Sequence, residues 1–101
     1  MKIKAGGTVN FIIAGFHLVV VYGNSKGPQD IAISVTVPPQ GAAMPPLIDD
    51  ASDRVYRGID PTVLQDRVEV VHFPDPGRYL VICGVLPHFN DGMYGYVEVI
   101  P

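Results

Sequence analysis

The sequence predicts an all-β fold, a sandwich of short strands carrying one short helix. Two observations lead there. β-Branched and aromatic residues gather in runs of about seven, as strands require. The 11 glycines and 10 prolines fall largely between those runs, where they mark turns.

Six strands follow in order. Residues 8–13 are β-branched and aromatic, bounded by Gly6-Gly7 and Ala14-Gly15. Residues 16–22 form a second apolar run, closed by the turn signal 23–28. Residues 31–37 alternate Ile, Ala, Ile, Ser, Val, Thr, Val, the pattern of a half-buried strand. The run 38–46 holds four prolines in nine residues, which excludes regular helix and central strand. A short helix is expected within 47–58, with Asp49, Asp50 and Ser52 as N-cap candidates and Gly58 as its stop. Strands resume at 67–73, at 78–83 after the turn Pro74-Asp75-Pro76-Gly77, and at 93–100.

The bulk properties bound the rest. A chain of 101 residues is read as a single domain, 1–101. At that size it buries roughly 60–65% of its unfolded surface. Apolar residues make up 48% and charged residues 17%, which favours a packed core over disorder. The formal charge is −3 with no basic run, so nucleic acid is excluded as a partner. No apolar stretch reaches the ~18 residues that span a bilayer. The longest, 9–22, is broken by Asn10, Gly15 and His17. A single cysteine rules out an intrachain disulfide, and a free thiol needs a metal or burial for protection. Strand-like sequence starts directly after Met1, so an export signal is expected to have been removed or never present.

The chemistry lies near the C-terminus. Cys83, His88 and Met93 fall within eleven residues, in the run CGVLPHFNDGM. Thiolate and thioether favour Cu(I), and imidazole serves both copper oxidation states. A second histidine would complete a mononuclear copper site, and His17 is well placed. His17, Cys83 and His88 would give three strong bonds and Met93 a long axial one. Backbone N–H groups of Leu18 and Val85 are expected near the sulfur. Pro87 removes a donor beside His88.

These segments resemble the cupredoxins, the small type 1 blue-copper proteins of the plastocyanin, azurin and rusticyanin kind. The turn and strand from Phe73 to Tyr79, the spacing Cys83-x4-His88-x4-Met93 and the return Gly92-Met93-Tyr94-Gly95 match in order. So does the Gly turn and strand from Lys4 to Phe11, after which His17 takes the place of the first histidine ligand. The resemblance implies a cupredoxin-like Greek-key β-sandwich. It implies copper as the cofactor and one-electron transfer as the function. It also implies an apolar surface patch around His88, here Leu86, Pro87 and Phe89, as the electron port. The expected partner is a redox protein such as a cytochrome or copper enzyme, and the expected location is periplasmic or otherwise extracytoplasmic.

Two features depart from the family pattern. Sixteen residues precede His17, where family members carry one or two more strands. The chain is therefore expected to lack strands there or to come from a longer protein, leaving a sheet edge open to pairing. Leu18 stands where asparagine is common. The resemblance is silent on 38–66.

Each residue also has a plainer reading. Taken alone, Cys83 and Met93 read as core and His17 as a satisfied core histidine; their joint spacing argues otherwise. His72 reads as a surface residue. Asp49, Asp50 and Asp53 read as a solvated helix start, and 40–56 either as a partner-docking feature or as a plain insertion covering one end of the sandwich. A copper oxidase or nitrite reductase domain is the alternative function. It needs a second copper, and Ile82 and Gly84 flank Cys83 where such enzymes often place a bridging histidine. A copper chaperone needs an open, exchanging site. A hydrolase leaves Met93 and the second histidine without a role. The chain is thus expected not to be an enzyme.

Overall fold

The computed structural model describes residues 1–38 and 45–101. Among them run nine strands: β1 (Lys2–Lys4), β2 (Gly7–Ile13), β3 (Val19–Tyr22), β4 (Thr36–Val37), β5 (Leu47–Ile48), β6 (Arg54–Arg57), β7 (Arg67–Phe73), β8 (Gly77–Cys83) and β9 (Tyr94–Ile100). One short α-helix, α1 (Leu86–Asn90), lies between β8 and β9, and a 3-10 turn spans Pro28–Asp30.

A five-stranded sheet has the order β1-β9-β8-β3-β6. All its pairs are antiparallel except β1, which lies parallel to β9. β2 and β7 form a second, two-stranded sheet in antiparallel register from Gly7 opposite Phe73 to Ile13 opposite Arg67. The all-β sandwich expected from the sequence is therefore present.

Period-2 alternation explains why the layers stack. In β7 the residues alternate buried and exposed, so Arg67, Glu69, Val71 and Phe73 face inward and Val68, Val70 and His72 outward. Val71 and Phe73 meet Val9 and Ile13 of β2 and Val19, Val21, Val97 and Val99 of the large sheet. The other face of the large sheet is apolar too. Val20, Tyr22, Leu80 and Ile82 pack there under Ile31, Leu47, Ile48, Val85, Leu86 and Phe89. β3 is thus an interior strand, between β8 and β6, and buried on both faces, which is why Val19–Tyr22 shows no alternation.

The structure corrects two elements. The helix expected within 47–58 is absent from that segment, which forms β5, a turn and β6; among the described residues the one α-helix lies at Leu86–Asn90 instead. Asp50 explains the difference. Its carboxylate accepts N–H bonds from Ala32 and Ser52, both at 2.9 Å, so the acid closes a turn instead of capping a helix. Asp50 is buried, not solvated, and lies 3.8 Å from Lys26 Nζ. Burial opposes its ionisation, but the two N–H groups and the Lys26 charge hold its carboxyl below the usual range.

The strand expected at 31–37 shrinks to Thr36–Val37. The Val35 N–H turns back to the Ala32 carbonyl, and only Ile31 of the run is buried. Of the proline-rich run 38–46, residues 39–44 lie outside those described, as does the matching part of the insertion 40–56. The described part of that insertion supplies Leu47 and Ile48 to the core.

Candidate metal centre

Strand pairing brings the two ends of the chain together. In the antiparallel β3–β8 register Val19 lies opposite Cys83, which brings residue 17, two positions earlier, to a diagonal place next to residue 83. The Gly84 N–H donates to the Leu18 carbonyl at 2.7 Å and extends that pairing by one step.

His17 sits in the loop from β2 to β3. Gly15 opens the turn at φ +90, a conformation that costs a side-chain-bearing residue dearly. The Gly15 N–H donates to Asp66 Oδ1 at 2.9 Å, and its carbonyl accepts from the His17 N–H at 3.1 Å. The His17 carbonyl in turn accepts from Arg67 Nη2 at 2.7 Å.

Cys83 ends β8, and its N–H donates to the Met93 carbonyl at 3.0 Å. The chain then makes the single turn of α1, with Pro87 in its first turn, where a missing N–H costs nothing. The helix brings His88, five residues on, back against Cys83. Gly92, at φ +91, ends it, and the Met93 N–H returns to the His88 carbonyl at 3.1 Å. The loop is also anchored from outside, through Leu86 N–H to the Pro46 carbonyl and Ile48 N–H to the Gly84 carbonyl.

The outcome is a compact donor cluster. Cys83 Sγ lies 3.7 Å from His17 Nδ1 and 3.6 Å from His88 Nδ1, and the three ligand atoms all fall within 4.8 Å of one another. The two imidazole rings are 4.9 Å apart at 45°. Metal–nitrogen bonds of about 2.0 Å and a metal–sulfur bond of about 2.3 Å, opened to about 110–120°, give sulfur–nitrogen separations of roughly 3.5–3.8 Å. The observed spacing fits one shared ion. Burial first, then the neighbouring His88 and the Arg67 charge, lowers the His17 pKa. That favours the neutral imidazole that binds metal.

Met93 is held by its backbone at the same site. It lines a cavity of about 460 Å³ together with His17, Leu18 and Cys83, and the residue is 45% exposed. Leu18 and Val85 are buried beside the cluster. His72 lies on the outward face of β7.

The expected apolar port is corrected. Leu86 and Phe89 are 7% and 8% exposed and belong to the core; only Pro87 of the three is at the surface. The cause is α1: Leu86 and Phe89, three apart on one helical turn, share its inner face, while His88 stays half-buried beside exposed Pro87.

Two residues that shape the site went unread in the sequence. Gly84 allows the close approach of β3, since a Cβ there would sit 2.7 Å from Leu18 Cδ2. Arg67 holds the His17 backbone. The signal for Arg67 was present, because the period that turns Val71 and Phe73 inward turns Arg67 and Glu69 inward as well.

No family model matches the chain, and no curated protein matches it. Among solved structures it is similar to sodium-dithionite-reduced auracyanin from the photosynthetic bacterium Roseiflexus castenholzii. The likeness has a TM-score of 0.63 at 20% identity and covers 100% of this chain and 83% of that one. With the layered strands described above, this likeness assigns the chain the cupredoxin β-sandwich fold.

Proposed function

We propose that the chain is a one-electron carrier that holds a single copper ion in a type 1 site. The observation that carries this reading is the convergence of the His17 and His88 nitrogens on the Cys83 sulfur. A thiolate with two imidazoles is the donor set of such a site, and Met93 would supply a thioether to it. Bound copper supplies the Cu(I)/Cu(II) couple.

The protein's part is to keep the donors fixed. His17 is tied by Arg67 and the Gly15 turn, Cys83 by its strand register, and His88 by α1 and the Met93 return. Donors that do not move between oxidation states keep the reorganisation small, which favours fast transfer. The half-buried His88, with exposed Pro87, Met93 and Tyr94 nearby in the chain, is the proposed exit for electrons. A patch of that size suits a weak, transient contact with a redox protein, such as a cytochrome or copper enzyme. An extracytoplasmic setting accords with the reading, because a bound metal would protect the lone thiol there.

The carrier reading is preferred to an oxidase or nitrite reductase domain. Ile82 and Gly84 flank Cys83, and the third imidazole, His72, points outward from β7. Voltammetry of the copper-loaded protein tests the function. A reversible one-electron wave is expected; copper that binds but shows no reversible couple would refute electron carriage.

A further inference from the structure

We propose that Arg67 is a positioning residue for the metal centre: its guanidinium, gripped by Glu69, which Tyr56 holds in turn, fixes the His17 backbone and so sets where that imidazole meets Cys83. This rests on the reading of His17 as a ligand.

The Arg67 side chain is 3% exposed, and every donor it has is in use. Nε donates to Glu69 Oε2 at 2.6 Å. Nη1 donates to the Leu64 and Gln65 carbonyls at 3.0 and 2.8 Å. Nη2 donates to the Ile59 carbonyl at 3.1 Å and to the His17 carbonyl at 2.7 Å. Four of these partners lie within eight residues of Arg67 in sequence; His17 is 50 residues away. The neighbouring Asp66 carboxylate takes the Gly15 N–H. Two adjacent residues thus hold both ends of the turn that carries His17.

The grip on Arg67 is itself built in. The Tyr56 hydroxyl donates to Glu69 Oε1, so each carboxylate oxygen has one partner. Gly58 makes room, because a Cβ at that position would run into the Glu69 carboxylate. Gly58 also donates its N–H to the Val19 carbonyl at 2.8 Å, two residues beyond His17.

A buried ion pair is a poor device for stability alone, since apolar side chains of similar volume often serve as well. What only arginine offers is a planar fork of five donors with fixed directions. Here that fork places four backbone carbonyls, and one of them belongs to the ligand. Lysine at the same position keeps the charge but loses the fork.

The test compares Arg67→Lys and Tyr56→Phe with the parent protein, first without metal. Nuclear magnetic resonance reads the His17 and His72 ring signals and the amide exchange of residues 15–18. His72 is the internal control, on the same strand but facing outward. In Arg67→Lys the His17 signals should shift and exchange at 15–18 should speed by about tenfold, as for a lost hydrogen bond to a charged group. His72 should stay put. Tyr56→Phe should give the same pattern more weakly. After copper loading, both variants should shift the reduction potential without changing the one-to-one stoichiometry. His17 unmoved in folded Arg67→Lys overturns the proposal, and so does equal movement of His17 and His72. If Arg67→Lys does not fold, Tyr56→Phe decides by the same two outcomes. If the parent protein takes no copper, the electron-carrier reading fails, while the metal-free spectra still judge the Arg67 tether.

Discussion

Replacing Gly84 by alanine adds one methyl group at the place where the two halves of the metal site touch. The new Cβ would stand 2.7 Å from Leu18 Cδ2 and 3.0 Å from Val20 Cγ2. Leu18 and Val20 are both fully buried, at 0% exposure, so neither can swing aside into solvent. Overpacking of this kind costs about 1–3 kcal/mol. Alanine also stiffens the unfolded chain, which returns about 0.4–1 kcal/mol. The net loss is about 1–2 kcal/mol. At about 4–8 °C per kcal/mol for a domain near this size, the midpoint should fall by roughly 5–15 °C. Gly95→Ala makes the same chemical change where nothing lies within 4 Å of the new atom, and its midpoint should not fall. Thermal circular dichroism of the metal-free proteins measures both. An unchanged midpoint for Gly84→Ala, or an equal loss for Gly95→Ala, would refute the packing argument.

Asp50→Asn should cost about 1–3 kcal/mol at pH 7, because the Ala32 and Ser52 N–H groups lose a charged acceptor. The folded carboxyl titrates below its ordinary 3.8, so the stability it brings is full above that value and is lost as pH falls through the folded pKa. Urea unfolding at stepped pH should show the two proteins converging in acid. The phenols of Tyr22 and Tyr56 are pushed up to about 12, by burial first and then by Asp50 and Glu69 respectively. Their contribution is complete below pH 10 and declines as pH rises toward 12; ultraviolet titration of Tyr22→Phe and Tyr56→Phe should each remove part of a late step. Met93→Leu should retain copper and raise the potential, as a weak donor to Cu(II) is lost; an unchanged potential in voltammetry would count against axial ligation. His88→Gly should open a position that added imidazole refills with recovery of colour, and failure to refill would place His88 outside the site.

The sequence was readable where a single influence decides the structure. Four strands with strong β-branched runs, 8–13, 67–73, 78–83 and 93–100, start within one residue of the observed β2, β7, β8 and β9. The pairing of His17 with Cys83 was inferred from ligand chemistry, and the β3–β8 register supplies its mechanical reason. Reading failed where a side chain competes with the backbone. Asp50 has the composition of an N-cap, but it spends its oxygens on Ala32 and Ser52 and so holds two segments 18 residues apart. Leu86 and Phe89 looked like surface residues of a loop, and one helical turn hides both. Gly84 carries no local signal at all, because the clash it avoids lies with residues of another strand.

The most direct measurement is titration of the metal-free protein with Cu(II) in visible light. One equivalent should develop an intense thiolate-to-copper band, blue or green, and Cys83→Ser should abolish it. A correctly folded protein that stays colourless at one equivalent would contradict a copper centre built on His17, Cys83 and His88.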